Sequence, residues 1–404
     1  MKKMGEMALG IVTSVGGFLE IGSIVTAAQA GALFGYQLLW VVGLGGLCII
    51  FLVEMSGRFA AVSKHTIFAA VRERFGFKLF LTLLCVVGIV SLITLCAEIG
   101  GACIAIELVT GIRFQVWALP VAGLTWVLLW RARFGVIEKG VSLLGLVTVA
   151  FVVTAFKLGP DWHVAAKSLV PSLPGHDSAR YWFIAVSIMG ASVTPYLFYF
   201  YSSGAIEDKW TDDYLGTNRV VAVGGMGFGT LISMSVLVAA AIVFQPRRIQ
   251  VDHYDQLALL LTGPLGRAGF YLLAASLFIA CLGAALEISL AIAYIIAQGF
   301  GWGWGENKPP IEEARFALSY SVVLLIGGTL ILTGIDPIKL TVVAVTLTAF
   351  SLPIAIGPFL VLMNDERYLR DHRNGVMGNA IVMALIVISC VLALVTIPLQ
   401  IMGG

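Results

Sequence analysis

The chain has 404 residues, 59% of them hydrophobic and only 12% charged, with a formal net charge of +2 and a mean hydropathy of +0.97. A soluble domain carries about 25% charged residues, so these values exclude a soluble globule, and the small net charge excludes a nucleic-acid-binding protein. Apolar stretches of about 20 residues, enough to cross a ~30 Å hydrocarbon core, recur along the whole length.

Eleven membrane spans are predicted. The first, 8–34, follows Lys2 and Lys3 and is interrupted at Glu20-Ile21-Gly22-Ser23. It is too long for a signal peptide and carries a carboxylate, so it is expected to be retained. In the second, 37–58, Glu54 stands four residues before Arg58, the spacing of a helical ion pair. Residues Phe59 to Phe77 mix apolar and basic types at helical spacing and read as a short interfacial helix. The third span, 79–108, holds Glu98 mid-way, with Thr94 one turn earlier and Glu107 near the outer end. Spans four and five, 114–131 and 137–157, are separated by Arg131 to Lys139, and Glu138 there reads as structural.

A polar loop from Lys157 to Arg180, with Pro160, Asp161 and Trp162, is expected on the outer membrane surface. The sixth span, 180–203, is interrupted at Ala191-Ser192-Val193-Thr194-Pro195-Tyr196, and its aromatic run through Tyr201 reads as packing. The seventh span is 217–244, and a second outer loop runs from Gln245 to Arg267. The eighth, 268–298, carries Glu287, which either faces the pathway as a second carboxylate or is hydrogen-bonded between helices. The ninth is 314–333. The tenth, 338–363, carries Thr346, Thr348 and Ser351, read as helix-bonding hydroxyls. The eleventh is 376–402. The six cysteines fall in spans without CxxC spacing, and all five histidines fall in loops, which argues against an imidazole site in the membrane. Most Lys and Arg collect on one side, which puts the N-terminus inside and the end of span eleven outside, as in a bacterial-type inner membrane.

The two interruptions carry the most information. Broken backbone at membrane depth is tolerated where it lines a cavity or is buried in protein. An intramembrane carboxylate such as Glu20 is a functional candidate. Interrupted spans in corresponding halves mark the substrate site of a transporter. Two five-span units, about 8–157 and 180–363, would make spans one and six equivalent in an inverted repeat, with 376–402 as an extra helix.

Phe34-Gly35-Tyr36 with Leu38-Leu39-Trp40 resembles the NRAMP (natural resistance-associated macrophage protein) divalent-metal transporters, as do Gly190 to Tyr196, Ala97-Glu98, Pro160-Asp161-Trp162 and Leu352-Pro353. The resemblance is collinear over nearly the whole chain and suggests a divergent member related to the magnesium-transporter-like branch. It implies an all-α integral membrane protein of the LeuT-like fold with eleven helices. The family's first-span Asp-Pro-Gly-Asn is Glu20-Ile21-Gly22-Ser23 here, and its sixth-span Met-Pro-His is Thr194-Pro195-Tyr196. Carried over by position, the metal ligands are Glu20, Ser23, the Ala191 carbonyl and Thr194. Gly22, Tyr196, Glu98 and Glu287 are pathway candidates, and the family's proton-route His and Asp become Tyr196 and Leu95.

Losing the thioether and the amide leaves oxygen ligands, which suit Mg, Ca and Mn. Mg²⁺ keeps several waters and takes one or two carboxylates. The expected function is secondary transport of a hard, partly hydrated divalent cation such as magnesium or manganese, without proton coupling. An organic-solute carrier on the same fold and a proton-coupled transition-metal transporter are the alternatives. The chain has no paired histidines, HExxH, GxSxG or phosphate loop, so no enzyme and no cofactor is expected. The expected partners are the cation and the bilayer, and a monomer is the working expectation.

Overall fold

The computed structural model describes residues 20–131, 145–306 and 308–401, and the described secondary structure is entirely helical. Seven stretches of helix among these residues are long and apolar enough to cross a membrane. The part of the first span before Glu20, and the segment with Arg133, Glu138 and Lys139, lie outside the described residues.

Helix α1 (Ile21–Phe34) begins directly after Glu20, and α2 (Leu39–Ser63) follows a tight turn in which Gly35 has φ 58°. The interfacial helix is shorter than expected. α2 runs on to Ser63, so only α3 (Ile67–Phe75), capped by the Thr66 hydroxyl, corresponds to it. α4 (Phe77–Thr110) and α5 (Phe114–Arg131) follow, the latter with Pro120 inside. Glu107 accepts the Phe114 N–H at 3.0 Å, so it ties the α4–α5 turn. α6 (Val149–Lys157) comes next among the described residues. The polar loop between Lys157 and Arg180 contains α7 (Trp162–Lys167), capped by the Asp161 carboxylate through the N–H groups of His163 and Val164. This loop does more than lie on the surface: His176 stacks on Phe34 at 5.1 Å, and Tyr181 donates to the Ser172 carbonyl at 2.9 Å.

The sixth span is two helices, α8 (Ser178–Ser192) and α9 (Pro195–Glu207). α10 (Leu215–Val243) follows. The segment 245–267, expected as a loop, proves mostly helical. α11 (Tyr254–Phe300) starts well before the predicted eighth span and kinks at Gly266, whose φ of 62° breaks the helix just after Pro264. A capping box at His253 and Gln256 starts it, a signal that the polar composition of 245–267 obscured. α12 (Ala314–Leu332), α13 (Pro337–Leu362), the short α14 (Glu366–Leu369) and α15 (Val376–Ile401) complete the described chain.

α4 packs along α11 and α13, and α5 along α12. α1 packs along α10 and α8, while α2 packs along α10 and α9. α13 touches α4, α8 and α15 and so joins the two groups. Small residues at these crossings let backbones approach closely. At Gly190 a Cβ would collide with the Val345 carbonyl, and at Gly22 it would lie 2.8 Å from the Val345 side chain. Both broken spans therefore press against one turn of α13. On the Arg-rich side, Glu54 and Arg58 pair at 3.2 Å as the spacing implied, with Arg219 also near Glu54 at 3.8 Å. Arg74 pairs with Asp365 at 2.8 Å. The Arg367 backbone N–H and the Arg74 guanidinium hold the Asp365 carboxyl below its ordinary range. The cysteines are free, and Cys85 is exposed, so not every one is interior.

Candidate functional site

The two interruptions meet. Glu20 is extended (φ −101°, ψ 166°), and its carbonyl already accepts from Ser23 and Ile24 as the start of α1. Ile21, Gly22 and Ser23 are therefore the first turn of a helix, and the non-helical part of this break, among the described residues, is Glu20. The second break is also narrower than the sequence indicated. α8 continues through Ser192, and only Val193 and Thr194 separate it from Pro195. Proline is well suited to the first helical position, because its missing N–H would have no partner there.

Four of the predicted site residues are brought together by hydrogen bonds. Ser23 Oγ donates to the Ala191 carbonyl at 3.2 Å and so bridges the breaks. Tyr196 donates its hydroxyl to Glu20 Oε2 at 3.0 Å. Glu20, Ser23, Thr194 and Tyr196 are all buried, and Thr194 occupies the cap position of α9 without a capping bond of its own. The helix ends add polarity. The carbonyl end of α8, with Ala191 in its last turn, is the negative pole and favours a cation; the N-termini of α1 and α9 favour carboxylates.

Glu98 has a definite place. Its Oε1 accepts the Ile21 N–H at 3.0 Å, so a carboxyl from α4 caps α1. Cys281 of α11 is its other side-chain hydrogen-bonding neighbour, while Oε2 has no oxygen or nitrogen partner. Glu287 is half-buried and acts electrostatically on Tyr196 together with Glu20 and Glu98. Gly22 stands 3.5 Å from Glu20 Oε1, measured from the Cβ it lacks. Thr346, Thr348 and Ser351 bond to carbonyls of their own helix, not to a neighbouring helix as expected. The aromatic run divides: Phe198 stacks on Phe359 and Tyr199 meets Phe68, leaving Tyr196 to address Glu20.

Among the described residues no group of three or more His, Cys, Asp or Glu side chains is arranged to hold a metal ion. The arrangement offers one carboxylate, two hydroxyls and a carbonyl, an incomplete shell that water would complete. Two contacts escaped the sequence. The carboxyl of Glu98 reaches a backbone N–H 77 residues away, and Val345 walls both breaks. Neither has a local signal, because the partners meet only through packing.

Comparison with known proteins agrees with this architecture. The chain is 28% identical over 395 residues to the divalent metal cation transporter MntH of Deinococcus radiodurans, covering 95% of this chain and 86% of that protein. It is 26% identical to the protein of the same name from Yersinia enterocolitica, over 95% of this chain and 93% of that one. A mutant of the Eremococcus coleocola manganese transporter superposes with a TM-score of 0.81 at 18% identity, covering 99% of this chain and 87% of that one. Mhp1, a nucleobase-cation-symport-1 family transporter, superposes with a TM-score of 0.61 at 12% identity, over 97% and 91% of the two chains. The structural likenesses show the fold, which is all-helical and LeuT-like. A sequence model described as Natural resistance-associated macrophage protein-like matches residues 10–398, and the chain belongs to that Nramp family.

Proposed function

We propose that this protein is a secondary transporter of a hard, partly hydrated divalent cation, magnesium or manganese, bound at the paired breaks by Glu20, Ser23, Thr194 and the Ala191 carbonyl. The divalent-metal names of its relatives support the broad substrate class. The observation that carries the finer reading is the Ser23–Ala191 bond at 3.2 Å, which joins two oxygen ligands from the two breaks beside the buried Glu20. Such a set, without sulfur or imidazole, suits a hard ion that retains water.

Flux is not coupled to protons in this reading. Tyr196 and Leu95 replace the relay residues that the family resemblance indicates, and a phenol with an unperturbed pKa of about 10 is a poor relay at neutral pH. Glu98 has a capping bond instead of a free role. The chain sits in an inner membrane with its N-terminus cytoplasmic.

The deciding experiment is uptake into proteoliposomes alongside calorimetric titration with Mg²⁺, Mn²⁺ and Ca²⁺. Glu20→Gln removes the charge but keeps an oxygen for the Tyr196 hydroxyl. It should therefore fold and lose binding and uptake. Unchanged uptake would reject Glu20 as the ligand, and absence of any cation binding by the unaltered protein would reject metal transport.

A further inference from the structure

Away from the candidate site, a cavity of about 510 Å³ opens between α2, α10 and the segment that leads into α15, within the size range of small-ligand sites. We propose that it is a binding site for an anionic phospholipid. The headgroup phosphate is held by Arg219 and Arg373, and the acyl chains lie along Ile50, Phe51 and Val223.

The cavity is polar at one end and apolar at the other. Ile50 and Arg58 both line it from α2. At 1.5 Å per residue their separation along the helix is about 12 Å, so the groove descends from the interface into hydrocarbon depth. Arg58 is fixed at its polar end. It bonds Glu54 at 3.2 Å, the His372 carbonyl at 2.7 Å and Asn374 Oδ1 at 2.9 Å.

The other two arginines are held loosely. The Arg219 side chain is 71% exposed and meets Glu54 only at 3.8 Å. Arg373 is 45% exposed and reaches a still more exposed Glu366 at 3.4 Å. An arginine this exposed gains little from such a pair and exchanges it readily for a phosphate, which a guanidinium grips with two parallel bonds. Three guanidinium groups line the cavity against the carboxylates of Glu54 and Asp371, so the cationic excess favours an anion.

The flank of the cavity identifies the source of that anion. Val376 is 89% exposed, Met377 73% and Val223 58%, and side chains of this type beside a groove are suited to lipid rather than water. The Arg-rich end is also the side that the positive-inside rule assigns to the cytoplasmic leaflet, where anionic lipids concentrate. A ligand with an anionic head and an apolar tail matches both ends at once.

The test uses the full chain in nanodiscs that contain equal phosphatidylglycerol and phosphatidylcholine, with retained lipid counted by native mass spectrometry. An arginine near an anionic surface contributes roughly fivefold, so with two arginines phosphatidylglycerol should be retained over phosphatidylcholine by roughly twenty-five-fold. Arg219→Ala with Arg373→Ala should bring the ratio to about one; both side chains are at the surface, so the fold should survive in neutral lipid. Val223→Trp should fill the apolar wall and lower phosphatidylglycerol retention with both arginines intact. Equal retention of the two lipids by the unaltered protein would overturn the proposal. So would retention indifferent to the arginine pair or to Val223→Trp, or displacement of the lipid by excess inorganic phosphate, which would make the ligand a soluble anion.

Discussion

Glu98 Oε1 accepts the backbone N–H of Ile21 at 3.0 Å across 77 residues of sequence. The first N–H of a helix has no partner within it, and here a carboxyl of α4 supplies one at the residue after Glu20. Glu98 thereby sets the position from which Glu20 enters the site, and a neutral side chain that keeps an oxygen can do the same. Glu98→Gln is expected to hold cation affinity within about threefold. Glu98→Leu leaves a buried N–H unpaired, at a cost of about 1–3 kcal/mol, and should weaken binding by at least about fivefold. Calorimetry with Mn²⁺ decides: equal losses in both variants would mean that the charge of Glu98 matters and not the cap.

Selectivity should turn on Thr194. In the unaltered protein Mg²⁺ is expected to compete with Mn²⁺, and Cd²⁺ to hold no advantage, because oxygen ligands do not favour soft ions. Thr194→Met introduces a thioether next to Pro195 and should raise the Cd²⁺-to-Mg²⁺ affinity ratio by at least about tenfold. Tight Cd²⁺ binding that resists Mg²⁺ before any substitution would mean that a sulfur, with Cys281 beside Glu98 the first candidate, already serves as a ligand.

Cation entry should leave the lumen of proteoliposomes at constant pH. A pH-sensitive dye trapped inside reports this during Mn²⁺ or Mg²⁺ influx. Acidification that follows the cation gradient, and disappears in Glu98→Gln or Glu287→Gln, would show a proton route built from those carboxyls.

The approach of α8 to α13 sets a sharp contrast between two glycines. A Cβ at Gly190 meets the Val345 backbone, whereas a Cβ at Gly204 meets nothing within 4 Å. Gly190→Ala should therefore lower the thermal midpoint in detergent, by an overpacking cost of about 1–3 kcal/mol. Gly204→Ala should be neutral or stabilising by up to about 1 kcal/mol through helix propensity. Similar midpoints for the two variants would mean that α13 yields at Val345.

The membrane class, most of the span positions, the sixth-span break and the singular position of Glu20 were legible in the chain alone. Each depends on local composition: hydrocarbon selects apolar runs of fixed length, and a carboxylate or a proline within one stands out. The kink at Gly266 was less legible, because the helix from Tyr254 begins in polar sequence and its capping box is a short signal within a loop. The joining of Ser23 to Ala191, of Tyr196 to Glu20 and of Glu98 to Ile21 came from packing. Those partners are 168, 176 and 77 residues apart, and hydrogen-bonding geometry between them exists only once α1, α4, α8 and α9 are pressed together. The grouping of Arg58, Arg219 and Arg373 around one cavity arose in the same way. Charge counting places arginines on a side of the membrane, and only helix packing gathers them into a site.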